Sequence, residues 1–149
     1  MVNREKAYRV FYHCYHVNLV LINQYLLVAG LILMGNGIKN ILPSSNSGPN
    51  VSQIWIECCY IIGGFMALST PFINAYGYAK QSIKIISNNC KIVCPVSCLE
   101  IFTAMVALTY PDYYGWSIVA IITAIFNMLG ALGTTLMIAD DEYIEPHTT

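Results

Sequence analysis

Four long stretches of the chain are almost entirely apolar, and the polar residues gather between them. The stretches are residues 17–38, 54–76, 91–109 and 116–139. Each holds about 20 residues, which spans a bilayer core of about 30 Å at a helical rise of about 1.5 Å per residue. A soluble bundle would need a polar stripe along every helix, and these stretches have none wide enough. The pattern predicts an all-α membrane protein, a four-transmembrane-helix bundle that forms a single domain over residues 1–149.

The basic residues are distributed unevenly between the two sides of this arrangement. Of the 7 Lys and Arg residues, only Lys39 lies in the first loop, and none lies in the third. The others precede the first stretch or lie in or beside the second loop: Arg4, Lys6, Arg9, Lys80, Lys84 and Lys91. Because basic flanks and loops stay cytoplasmic, this bias predicts that both termini are cytoplasmic.

Composition argues against several functional classes. The 149 residues are 56 % hydrophobic and 10 % charged, whereas a soluble domain has about 25 % charged residues. The net charge is −1, and no basic patch with interleaved aromatic residues follows the short amino-terminal cluster, so nucleic acid is not an expected partner. The 3 His residues belong to no catalytic set, and no Gly-rich phosphate loop occurs. We expect no enzyme activity, no metal and no cofactor.

A carboxyl group stands in the middle of the third stretch. On a helix, Glu100 shares one face with small and polar residues, and the fourth stretch has a similar face around Asn127. Counting outward from a turn centred near Asp112 places Glu100 and Asn127 at similar depths. The pattern predicts a neutral carboxylic acid that is hydrogen-bonded to Asn127 and holds these two spans together. The alternative is a proton relay or an ion-binding role for Glu100.

Small residues at regular spacings predict where the helices pack closely. Asn23, Gly30 and Gly37 are seven residues apart, which places them on one face of the first helix. Small side chains let membrane helices approach, and buried polar groups then bond across the contact. The other positions that this reasoning predicts at packing faces include Gly63, Ala67, Ala124 and Gly130.

These positions together resemble the tetraspanins. The first span of that family carries an Asn and then two Gly residues at intervals of seven, as in NQYLLVAGLILMGNG here. In INAYGYAKQS, Gly77 and Ser82 match the end of the family's second span, and Glu100 and Asn127 stand where the family places an acid or amide. The third loop, YPDYYG, is short and has no Cys, unlike the large Cys-Cys-Gly loop of tetraspanins. The resemblance implies a membrane organiser with close packing at Gly77, acylated cysteines and a lipid-filled cavity.

Three cysteines and one asparagine are candidate modification sites. Cys14, Cys90 and Cys94 lie at the predicted cytoplasmic edge, where thiols are reversibly palmitoylated. The alternative is that these thiols pack as small hydrophobic groups. Asn50 begins the sequon Asn-Val-Ser on the predicted outer face, a few residues before the second span, and is a candidate glycosylation site.

The expected function is a tetraspanin-like scaffold that binds other integral membrane proteins and membrane lipid, including sterol, laterally. Two alternatives stay open. One is an auxiliary subunit of a channel, receptor or cell-junction complex, and the other is a small carrier that uses Glu100. The expected location is the plasma membrane, and a homo-oligomer is a further candidate assembly.

Overall fold

The computed structural model is built from four long helices. It describes the backbone of residues 2–41, 51–80 and 82–144, and the side chains of residues 17–41, 53–80 and 82–136. A short 3-10 turn, Pro111–Tyr113, separates the last two helices. The helices are α1 Val2–Ile41, α2 Val51–Ala79, α3 Ile83–Ala107 and α4 Tyr114–Ile144. Among the residues described there is no strand, so the predicted all-α fold class is confirmed.

All four helices are long and apolar enough to cross a membrane. The candidate spans are Val17–Ile41, Gln53–Ala79, Ile83–Ala107 and Pro111–Leu136. This confirms the prediction of a four-pass membrane protein. The predicted third span begins at Lys91, and the helix that contains it begins at Ile83, because the polar segment with Lys84, Asn88 and Asn89 belongs to the same helix. Asn40 and Asp112 mark the loop end of the bundle, where α1 is followed by α2 and α3 by α4.

The helices alternate in direction, and two of them form the centre of the bundle. The most extensive contacts join α1 to α2 and α3 to α4. In addition, α2 and α4 contact each other and each contacts both remaining helices. The pair α1 and α3 therefore occupies opposite corners of the bundle. The starts of α1 and α3 and the ends of α2 and α4 lie at the terminal end, opposite the loop end.

The contact between α1 and α2 is a close approach of two backbones. A Cβ atom built on Gly30 would lie 2.6 Å from the carbonyl oxygen of Gly64, and one built on Gly64 would lie 2.8 Å from the carbonyl oxygen of Gly30. About two turns towards the loop end, a Cβ on Gly37 would lie 2.6 Å from the Cγ1 atom of Ile61. Glycine is therefore the residue that lets these helices pack at this distance.

Side-chain contacts fix the register of α2 against its two other neighbours. The hydroxyl group of Thr103 donates a hydrogen bond to the sulfur of Cys59 at 3.6 Å, and Gly77 packs against Ile86. The antiparallel pair α2 and α3 is thereby aligned from one end to the other. Parallel α2 and α4 are aligned by the hydroxyl pair Tyr60–Ser117, 2.8 Å apart, and by further contacts towards the terminal end.

Candidate functional site

The interior of the bundle holds polar groups at three levels. The level nearest the loop end contains Glu57, which is 2 % exposed and accepts a hydrogen bond of 2.8 Å from the Nδ2 atom of Asn40. One turn further along α2, the buried hydroxyl of Tyr60 meets the buried hydroxyl of Ser117. These contacts join α1 to α2 and α2 to α4 by polar side chains within the apolar spans.

The middle level contains the carboxyl group of Glu100. The residue is 2 % exposed, and a Cβ atom built on Gly63 would clash with its carboxyl group. The absence of a side chain at Gly63 therefore provides the space that the carboxyl occupies against the backbone of α2. Neither carboxyl oxygen has a hydrogen-bond partner among the described residues. A carboxyl in such surroundings is stable only as the neutral acid, or with a cation or water as its partner.

The hydrogen bond predicted between Glu100 and Asn127 is not formed in this structure. Both oxygens of Glu100 and the Oδ1 atom of Asn127 are without a partner among the residues that the structure describes. Glu100 faces Gly63, and the Tyr60–Ser117 contact aligns Gly63 with Ala120 on α4. Asn127 lies seven residues beyond Ala120, which is about 10 Å along the helix.

The position of the turn explains the error in the predicted depth. Helix α3 ends at Ala107, and α4 begins at Tyr114, so the connection is centred near residues 110 and 111 rather than at Asp112–Tyr113. Because the turn is centred closer to Glu100 than predicted, Glu100 lies nearer the loop end and Asn127 lies farther from it. The two side chains therefore belong to different levels of the interior.

The third level is a layer of asparagines near the terminal end, called here the amide layer. The Nδ2 atom of Asn74 donates a hydrogen bond of 3.3 Å to the carbonyl oxygen of Gly130, and the Oδ1 atom of Asn23 lies 3.7 Å from the Cβ position of the same glycine. Because Gly77 packs against Ile86 and the two helices are antiparallel, Asn89, three residues after Ile86, is level with Asn74. The amide layer comprises Asn23, Asn74 and Asn89, with Asn127 one turn away on α4.

Several hydrogen-bonding atoms of the amide layer are buried without a partner in the described part of the chain. They are the Oδ1 atoms of Asn23 and Asn74 and the Nδ2 atom of Asn89, together with the Oδ1 atom of Asn127 nearby. A buried amide without a partner carries a substantial free-energy cost, so such groups commonly bond water or a ligand. The layer can thus accept and donate hydrogen bonds to a molecule that enters from the membrane.

A crevice of about 240 Å³ opens beside the amide layer. Asn23, Asn74 and Thr134 supply its polar wall, and Leu19, Pro71 and Tyr78 are among its apolar lining residues. Its position between α1, α2 and α4 suits a lipid that presents an apolar body and one hydrogen-bonding group.

The predicted packing positions lie mostly at helix contacts. Gly30, Gly37, Gly63 and Gly77 each face a neighbouring helix at a distance that leaves no room for a side chain. Gly130 differs, because the nearest atom to its Cβ position is 3.5 Å away, an ordinary contact distance. The two alanines in this set, Ala67 and Ala124, are fully buried.

The candidate modification sites are only partly described. Cys90 and Cys94 are half-buried on one face of α3, with their sulfur atoms 3.7 Å apart. Because α3 begins at Ile83, Cys90 lies about 10 Å along the helix rather than at its first turn. The side chain of Cys14 and the whole of Asn50 lie outside the described residues.

The interior polar residues that were not anticipated from the sequence include Glu57, Asn74 and Asn89. Glu57 lies inside the predicted second span and obeys the same rule that drew attention to Glu100, namely that an acid within a span has a specific role. Asn74 lies in the same span, three residues before Gly77. Asn89 lies just before the predicted start of the third span at Lys91 and was therefore not expected in the interior.

The described residues contain no group of three His, Cys, Asp or Glu side chains that could hold a metal ion. Comparison of the chain with models of known families, with curated proteins and with solved structures gives no match.

Proposed function

We propose that this protein is a small membrane scaffold, related in design to the tetraspanins, that binds other integral membrane proteins laterally in the plasma membrane. The observation that supports this proposal is the exposure of α1 and α3 at opposite corners of the bundle. In an apolar 18-residue stretch of each span, 28 % of residues are buried in α1 and 33 % in α3, against 50 % in α2 and 44 % in α4. Two separate helices thus offer long apolar faces, so that one molecule can contact two neighbours at once.

The exposed face of α3 has the chemistry of a helix-binding surface. Phe102 and Met105 are 68 % and 60 % exposed, and Leu99 and Val106 lie beside them. A flexible thioether and an aromatic ring adapt to different partner helices. The polar residues of α3 at these levels, such as Glu100 and Thr103, point into the bundle, so lateral binding need not disturb the interior.

The test is affinity capture of the tagged chain in mild detergent, followed by mass spectrometry. A scaffold recovers a mixed set of membrane proteins, and the double substitution of Phe102 and Met105 by Ala reduces that recovery. The matched control is Phe72→Ala, since Phe72 is 64 % exposed on α2. Recovery of a single channel or receptor in fixed stoichiometry would instead support the auxiliary-subunit alternative. Equal recovery of membrane proteins by the unmodified chain, the double variant and the control variant would argue against α3 as the binding surface.

The same proposal includes a lipid partner in the crevice beside the amide layer. A sterol or another lipid with a hydroxyl group would donate to the free oxygen of Asn23 or Asn74 and place its hydrocarbon against Leu19 and Pro71. Native mass spectrometry of the purified chain measures retained lipid, and Asn74→Leu is expected to reduce it. Unchanged retention of lipid would show that the crevice is not the lipid-binding site.

A second candidate function is a small carrier that uses Glu100, and one observation favours it. Both oxygens of this buried carboxyl lack a hydrogen-bond partner among the described residues. The discriminating variant is Glu100→Gln, because an amide has a similar size but cannot transfer a proton. A scaffold variant should reach the surface and capture partners normally. Normal assembly with loss of proton flux in proteoliposomes would favour the carrier.

The orientation and the modifications are separate proposals. The basic residues support cytoplasmic termini, so a tag at either end should be accessible to antibody only after permeabilisation.

Palmitoylation of Cys14, Cys90 or Cys94 is checked by acyl-exchange labelling of the chain and of a variant with Ser at all three positions. Glycosylation of Asn50 is checked by glycosidase treatment, with Asn50→Gln as the control.

A further inference from the structure

A polar cleft opens at the loop end of the bundle, apart from the crevice and the lateral surfaces. Its volume is about 380 Å³. Three helices and the 3-10 turn contribute its lining, which is Asn36, Asn40, Gln53, Asp112, Tyr113 and Trp116. We call it the loop-end cleft.

The loop-end cleft has one acidic residue in its lining and a second one beneath that lining. Asp112 is exposed in its wall, and Glu57 lies beneath Asn40, which donates a hydrogen bond to one of its oxygens. The other oxygen of Glu57 is buried and has no partner in the described part of the chain. The Tyr113 hydroxyl lies near the same carboxyl group. Two of the six lining residues therefore contact or approach Glu57.

Positive charge is scarce at this end of the molecule. The connection between α1 and α2, residues 42–50, has no charged residue in its sequence, and neither does Thr109-Tyr110-Pro111. Lys39 is exposed on α1 and does not line the cleft. Within the described ranges, no ion pair joins Glu57 or Asp112 to a basic side chain. An exposed carboxyl group in the cleft wall and a buried one beneath Asn40 are therefore both without an ion pair within the described ranges.

Aromatic and amide groups complete the recognition surface. The rings of Tyr113 and Trp116 line the cleft, and aromatic faces attract ammonium groups. Asn36 in the lining carries an amide group that can bond the polar part of a ligand.

The volume of the cleft favours an organic cation over a metal ion. A calcium ion needs six to eight oxygen ligands at about 2.3–2.6 Å, whereas a volume of about 380 Å³ falls in the range of about 300–1,000 Å³ that small molecules occupy. We propose that the loop-end cleft binds the ammonium group of a small organic cation, held by Asp112, by the aromatic rings of Tyr113 and Trp116 and by the carboxyl group of Glu57 beneath Asn40. The ammonium group belongs either to a free amine or to the headgroup of a phospholipid.

The test uses choline as the probe and Trp116 as the reporter. The chain has 2 Trp residues, so Trp55→Phe leaves Trp116 as the only one. In maltoside micelles without phospholipid, choline is expected to change the fluorescence of Trp116 in a saturable manner. The neutral isostere of choline, in which a tert-butyl group replaces the trimethylammonium group, is expected to give no saturable change. Absence of a saturable response to choline, or equal responses to both compounds, would overturn the proposal.

Variants in which an amide replaces a carboxyl group test the contributions of Asp112 and Glu57 to choline binding. Asp112→Asn is on the surface and should fold normally, and it is expected to weaken choline binding several-fold. Glu57→Gln is expected to weaken binding by about tenfold or more, since it replaces the carboxyl group beneath Asn40 with a neutral amide. Glu100→Gln makes the same chemical change at another buried site and is expected to leave the dissociation constant unchanged. An unchanged constant in Asp112→Asn, or equal losses in all three variants, would contradict the assignment.

Nanodiscs distinguish the two sources of the ammonium group. Weaker choline binding in phosphatidylcholine discs than in phosphatidylglycerol discs would identify the lipid headgroup as the occupant. Equal affinity in both would identify a free amine. Loss of saturable binding in phosphatidylglycerol discs, which carry no ammonium group, would contradict the proposal.

Discussion

Replacing Gly30 with Ala should separate α1 from α2. The new Cβ atom would lie 2.6 Å from the carbonyl oxygen of Gly64, and ordinary contact begins at 3.4 Å, so the shortfall is 3.4 − 2.6 = 0.8 Å. The clashing atoms belong to the backbone of α2, including the amide nitrogen of Leu68 at 2.8 Å. Because backbone atoms cannot rotate away, the helices must move apart. Overpacking of this kind costs about 1–3 kcal/mol.

The same helix supplies a matched control. A Cβ atom built on Gly35 would meet nothing within 4 Å. Gly35→Ala therefore carries the same gain in intrinsic helix propensity, up to about 1 kcal/mol, without the clash. The difference between the two variants isolates the cost of the helix contact. A third variant, Gly130→Ala, should behave like the control, because its nearest neighbour is 3.5 Å away.

The assay is unfolding of the purified full-length chain in mixed micelles of a mild detergent and increasing sodium dodecyl sulfate, followed by circular dichroism. The free energy of unfolding of Gly30→Ala should be lower than that of Gly35→Ala by about 1–3 kcal/mol. A difference below about 0.5 kcal/mol would refute the close approach of α1 and α2, since that is the usual error of such comparisons.

Three further predictions use the same assay. A double-mutant cycle of Tyr60→Phe and Ser117→Ala should give a coupling energy of about 0.6 kcal/mol, and at most about 1.7, as found for hydrogen bonds between membrane helices. Additive effects of the two substitutions would contradict that contact. Gly63→Ala should destabilise the chain by about 1 kcal/mol or more, and much less when Glu100 is also replaced by Ala, because the clash is then removed; equal losses in both backgrounds would exclude the contact of Glu100 with Gly63. Glu100→Leu and Asn127→Leu should be additive within about 0.5 kcal/mol, since these residues lie at different levels; a larger coupling would restore the hydrogen bond predicted from the sequence.

The fold could be predicted because the bilayer imposes simple rules on sequence. Length and apolarity alone define four spans, and the small residues at positions 30 and 37 mark the face on which α1 meets α2. The start of the third span was harder to predict, since Lys84, Asn88 and Asn89 are polar residues that precede the apolar stretch. Their backbone nevertheless stays helical, because residues 83–90 include no proline or glycine that would break the hydrogen-bond pattern.

The presence of polar groups inside the bundle was predicted, but the pairs that they form were not. Composition shows that Glu100 and Asn127 need partners, but their depth depends on where the turn is centred, and an error of one or two residues there changes the pairing. Contacts between distant residues carry even less local signal. The Asn40–Glu57 and Tyr60–Ser117 pairs depend on the register of helices that are joined by loops, which no periodicity within a single helix reveals.

The lateral binding of partners through α1 and α3 is tested most directly by photocrosslinking in intact membranes. A photoreactive amino acid is placed at Phe102 on α3, at Leu31 on α1, or at Phe65 on α2, all of which are more than half exposed. A scaffold predicts crosslinks to more than one membrane protein from positions 31 and 102, with mainly lipid adducts from position 65. Lipid adducts alone at positions 31 and 102 would contradict the scaffold function.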